Sequence, residues 1–112
     1  MNVAFVTPWP PQPTGIADYA FDLISDLSNH DISVHVFSDC ENPVRLNSVE
    51  IFNINRHDPK VLRDYDLINY QLGNNIHFNL YMLDLVKRFG GMVHLHDMVL
   101  HHTLGWITWA QG

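Results

Sequence analysis

Five short runs of the chain, residues 3–7, 32–37, 49–54, 67–71 and 92–96, are rich in apolar and β-branched residues and do not alternate strictly with polar positions. A strand of that kind is buried on both faces, and sheets buried on both faces are parallel, with helices covering each side. The intervening segments agree. Ile16, Tyr19, Ala20, Leu23, Ile24 and Leu27 recur at three- and four-residue spacing while Asp18, Asp22, Ser25 and Asp26 face away, which predicts an amphipathic helix over about 16–29. A second pattern, Phe78, Tyr81, Met82, Leu85, Val86 and Phe89, runs from Asn75 to the helix stop Gly90-Gly91 and links the fourth and fifth strands. Residues 40–48 and 56–65 are polar, carry Pro43 and Pro59, and leave room for a turn or two of helix each. Pro8, Pro10, Pro11 and Pro13 make the connection after the first strand a stiff loop.

Alternating strand and helix with parallel pairing implies right-handed crossovers. The expected fold is α/β: a Rossmann-like, doubly wound parallel sheet of about five strands, with strand one between strands two and four. Ligands of such sheets bind beyond the carboxyl ends of the strands, where the strand order reverses. In this chain those ends are followed by Pro8 to Asp18, by Gly73-Asn74-Asn75, and by Asp97 with the His101-His102 pair.

Charge narrows the partners. Six Lys and Arg against twelve Asp and Glu give a net charge of −6, and the basic residues form no stripe that would neutralise a phosphate backbone, so nucleic acid is excluded. The single cysteine, Cys40, rules out an internal disulfide and fits a reducing compartment, with the cytoplasm as default. No apolar run is long enough for a signal peptide or a transmembrane segment. Residues 104–109 are apolar and tryptophan-rich and are followed by no polar tail, so the expectation is one domain over 1–112, truncated at its carboxyl end.

Three segments carry candidate chemistry. Gly15 stands at a strand-to-helix turn, where exposed backbone N–H groups and the helix dipole favour an anion such as a phosphate. The plainer reading is a tight turn, with Asp18 offsetting the dipole. The segment 94–102 holds His94, His96, His101 and His102, half of the eight histidines. His-x-His on a strand points two imidazoles to one face, so a metal site completed by Asp97 is one reading. No second ligand cluster stands at a recognisable spacing, and no metal is expected. In the other reading His94 is a core residue and His96, with Asp97 and His101 or His102, lines a pocket in which imidazole donates or accepts hydrogen bonds. Gln71, Asn74 and Asn75 end strand four with amides that suit sugar hydroxyls, and one of the two asparagines equally serves as a helix cap.

The segment Ala-Phe-Val-Thr-Pro-Trp-Pro-Pro-Gln-Pro-Thr-Gly-Ile-Ala-Asp-Tyr (4–19), the segment Tyr-Gln-Leu-Gly-Asn-Asn (70–75) followed by Tyr81-Met82, and His-Leu-His-Asp (94–97) with His101-His102 together resemble the retaining enzymes of glycosyltransferase family 4, the group 1 glycosyltransferases. The resemblance implies a GT-B enzyme of two Rossmann-like halves facing a cleft. This chain would be the incomplete amino-terminal, acceptor-side half, and the donor-binding half with its paired glutamates would be absent. It implies a diphosphate approached by the backbone of Gly15 and Ile16, a transferred sugar beside His96 and Asp97, and acceptor or sugar contacts from Asp18, Tyr19, Gln71, Asn74, Asn75 and His101. It implies a nucleotide-sugar donor, a glycan or lipid-linked acceptor, no cofactor beyond these substrates, and a cytoplasmic place that can include the inner membrane face. The activity implied is hexosyl transfer in polysaccharide or glycoconjugate synthesis, with the fragment inactive alone. The competing classes are a non-catalytic α/β sugar-binding or partner-completed module, and a small metallohydrolase built on the histidines.

Overall fold

The computed structural model describes residues 1–73 and 76–96. In chain order the elements are β1 (Asn2–Val6), α1 (Gly15–Leu27), β2 (Ser33–Ser38), β3 (Glu50–Asn53), two 3-10 turns (Ile54–Arg56 and Pro59–Asp64), β4 (Leu67–Leu72), α2 (Ile76–Phe89) and β5 (Met92–Leu95). All strand pairs are parallel and the order is β3-β2-β1-β4-β5, with β1 between β2 and β4 as expected.

Local chemistry sets the element ends. Thr14 caps α1, its hydroxyl accepting the Ala17 N–H at 3.0 Å, and Asp18 in the first turn complements the dipole. β3 stops at Asn53, one residue short of the sequence expectation, because the Asn53 side chain accepts the Asn55 N–H at 2.8 Å and turns the backbone into a 3-10 helix. Asp58 does the same for Lys60 N at 3.0 Å, with Pro59 opening the second turn. After α2, Gly91 adopts φ 126°, and a Cβ there would meet the Ile68 carbonyl at 2.6 Å and the Tyr70 ring at 2.9 Å, so only glycine fits.

The order of the strands dictates where the connections lie. The chain moves one way from β1 to β2 and the opposite way from β4 to β5, so right-handed crossovers place α1 and α2 on opposite faces. Under α1 lie Val3, Phe5, Val34 and Val36, packed with Ala20, Ile24, Trp9 and Cys40. Under α2 lie Ala4, Val6, Phe37, Ile68, Tyr70 and Leu72, packed with Met82, Leu85 and Leu62. Successive residues of β1 serve opposite cores, Val3 and Phe5 one and Ala4 and Val6 the other, which is why that strand reads as an unbroken apolar run. No helix among the described residues is long and apolar enough to cross a membrane.

Candidate functional site

The strand order reverses between β1 and β4, and there the proline-rich loop meets the start of α1. Two long-range bonds hold that loop. Trp9 is fully buried and its indole N–H donates to the Val44 carbonyl at 2.7 Å. Gln12 accepts the Trp9 N–H at 2.9 Å through Oε1 and donates through Nε2 to Asp39 Oδ1, also at 2.9 Å. The loop is thus a braced platform that delivers α1 at a fixed angle.

Gly15 is the first residue of α1. Its φ is not in the left-handed region, and a Cβ added to it would meet nothing within 4 Å. A tight turn therefore does not explain this glycine, and no described residue fills the space above it. Ile16 lies beside the end of β4: a Cβ on Gly73 would run into Ile16 Cδ1, so α1 and β4 close on one another at the switch point.

Next to this junction, β4 and β5 turn polar on the α1 side. Tyr19, on the second turn of α1, is 43% exposed and packs edge-on against two imidazoles, with ring centroids 5.4 Å from His94 and 4.7 Å from His96. The two imidazoles stack on each other at 4.3 Å and an interplanar angle of 22°. Gln71 is fully buried beneath them; its Oε1 lies 2.6 Å from His96 Nε2, and its Nε2 donates to Asn69 Oδ1. His96 N donates to the Leu72 carbonyl at 3.0 Å, so the backbone fixes His96 just past β5. Burial, and then the neighbouring His94, hold the His96 pKa below its ordinary value, which favours neutral imidazole.

Three sequence expectations change. His94 is not a core residue: it is half-buried and shares one face of β5 with His96, because residues two apart on a strand point the same way. Gln71 is not a free sugar-binding amide, since its oxygen and nitrogen are both engaged inside the protein. Asp18 is exposed and lines a separate shallow groove with Pro10, Phe21, Asp22 and Val44, away from the Tyr19 side of the helix. Asp97, Asn74, Asn75 and His101 lie outside the described residues. Among the described residues no group of three His, Cys, Asp or Glu side chains is placed to hold a metal ion.

Two further groups escape sequence reasoning because their surroundings come from distant parts of the chain. The Tyr81 hydroxyl on α2 is buried with no hydrogen-bond partner among the described residues, and burial together with the Asp39 carboxylate pushes its pKa upward. Tyr70, buried in the same core, donates to the Gly90 carbonyl at 2.9 Å, and burial pushes its pKa up to about 12. Comparison of the chain with protein-family models, with curated proteins and with solved structures found no match.

Proposed function

We propose that this chain is the acceptor-side α/β half of a retaining, GT-B glycosyltransferase, which moves a sugar from a nucleotide-sugar donor to a glycan or lipid-linked acceptor in the cytoplasm or at the inner membrane face. One observation carries the reading: a Tyr19–His94–His96 surface stands at the carboxyl ends of β4 and β5, beside a helix start whose Gly15 meets no side chain among the described residues. Flat aromatic and imidazole rings suit the C–H faces of a sugar, and ring nitrogens suit its hydroxyls. The helix N-terminus suits a diphosphate, which the Gly15 backbone can approach closely because no side chain intervenes. The sequence resemblance at 4–19, 70–75 and 94–97 points the same way. In such a reaction the protein orients two substrates and stabilises charge on the departing diphosphate; the partner domain supplies most of the donor contacts.

The test is amide NMR of the chain during titration with a nucleotide-sugar and, separately, with methyl α-glucopyranoside. The expected shifts fall on Gly15 and Ile16 for the nucleotide-sugar and on Tyr19, His94 and His96 for the glycoside. Shifts confined to the polar hollow at 41–51, or none at any concentration, would remove the reading. The chain alone is expected to show no sugar transfer. In a protein carrying both halves, His96→Ala should lower turnover by about one to several powers of ten with the fold retained.

A further inference from the structure

The polar residues on the α1 side of β4 and β5 form a chain with a direction. Asn69 Nδ2 lies 3.7 Å from the thioether of Met92, its cross-strand neighbour. A thioether has no proton to give and can only accept, so the N–H side of the Asn69 amide faces it and Oδ1 faces Gln71. Gln71 Nε2 then donates to Asn69 Oδ1, which leaves Gln71 Oε1 as the atom 2.6 Å from His96 Nε2. An amide oxygen has no proton either, so the ring nitrogen facing it must carry one. Reversing one link alone would set two acceptors, or two donors, against each other, and reversing all of them together would set the Asn69 oxygen against the Met92 sulfur.

We propose that Gln71 is a positioning residue that fixes His96 as the Nε2–H tautomer, so that Nδ1 keeps its lone pair and the ligand group recognised there is a hydroxyl that donates, not an anion. Among the described residues no hydrogen bond engages His96 Nδ1. The groups that face His96 reinforce a neutral ring. His94 stacks on it from its own strand, Tyr19 meets it from α1, and β4 presents only the uncharged amides of Gln71 and Asn69. Among these described residues no carboxylate would draw a second proton onto the imidazole. This assignment of ligand class rests on the proposed sugar site; the tautomer itself does not.

Nitrogen NMR of the imidazole rings reads the tautomer directly. In the wild-type chain, His96 Nε2 is expected to be the protonated nitrogen and Nδ1 the bare one. Gln71→Leu should replace this single form by a mixture of tautomers. Gln71→Glu should keep Nε2–H but raise the midpoint of His96 titration by about one to three pH units, because a carboxylate stabilises the charged ring. A wild-type ring protonated on Nδ1, or a Gln71→Leu ring unchanged from wild type, would overturn the positioning role. Should Gln71→Leu fail to fold, Gln71→Glu decides: a titration midpoint that stays in place overturns it. Two probes then test the ligand class. Methyl α-glucopyranoside should shift Nδ1 of His96, and inorganic pyrophosphate should not. A response to pyrophosphate with gain of a proton at Nδ1 would overturn the hydroxyl assignment. The Nε2–H tautomer with no response to either probe would sink the sugar-site reading and the ligand class while upholding the positioning role.

Discussion

The two faces of the sheet are built from the same five strands and differ in what they leave uncovered. On the α2 side, β4 and β5 are apolar: Ile68, Tyr70 and Leu72, with Val93 and Leu95 packed against them, close a core with Met82 and Leu85. On the α1 side the apolar surface of β1 and β2 gives way, one strand further on, to Asn69, Gln71, His94 and His96. A doubly wound sheet can dispense with apolar cover where a ligand or another element takes its place. The face that departs from the packing rule is therefore where function is sought, and the face that obeys it keeps the departure in position.

The largest expected effect tests that division. Leu72→Ala, on the apolar face, should cost about 2–5 kcal/mol of stability, the range for deleting a fully buried leucine. Asn69→Ala on the other face should cost about 1 kcal/mol, the loss of one hydrogen-bond partner for Gln71. Chemical denaturation of both variants reads the contrast, and equal losses would mean that the polar face is a core in its own right. Tyr81→Phe sharpens the comparison from the apolar side. Its hydroxyl is buried without a partner among the described residues, so its removal should leave stability unchanged or improve it by about 1 kcal/mol. A loss of that size in thermal melting would show that the hydroxyl has a partner after all.

Gly15→Ala should stabilise α1 by about 0.5 kcal/mol, because the added Cβ meets nothing among the described residues and alanine has less freedom to lose. The same change should weaken nucleotide-sugar binding if the space above Gly15 belongs to a diphosphate. Unchanged binding in the NMR titration would make that glycine incidental. The smallest effect is in pH. The folded-state pKa of His96 lies below its ordinary value of 6.5, so the unfolded chain binds a proton before the folded one does. The resulting contribution to stability is present above pH 6.5 and is lost as pH falls through the lowered folded value. His96→Gln should flatten the melting temperature across that window, and an unaltered slope would assign it to another group.

The architecture was legible because it rests on patterns of neighbouring residues: apolar runs give buried strands, and the spacing of Ile16, Ala20, Ile24 and Leu27 gives α1. The site was legible in place more than in role. Strand ends point to Gly15, Gln71 and His96, yet only the three-dimensional register shows that Gln71 turns inward to hold His96. For His94 two rules conflicted. The apolar neighbours Val93 and Leu95 suggest a core, whereas the period of two puts His94 on the same face as His96, and the period prevails because the neighbours occupy the opposite face. Asp18 was assigned through the resemblance of the segment 4–19, which says nothing about the direction it takes around the helix. The braces Trp9–Val44 and Gln12–Asp39 span 35 and 27 residues, and no local pattern announces them.

Gly91 has a consequence for how this chain can vary. Pressed against the Ile68 carbonyl and the Tyr70 ring, with Tyr70 also bonded to Gly90, it clamps the start of β5 to β4 and so sets the phase of everything that follows. A substitution elsewhere in β5 alters one side chain. A single-residue insertion after Gly91 that slips the pairing of β5 would invert them all, sending both imidazoles to the α2 side and delivering Val93 and Leu95 to Tyr19 and Gln71. Length between Phe89 and Met92 is therefore under tighter constraint than identity, and variants of this chain should tolerate replacements across β5 far better than gaps at its threshold.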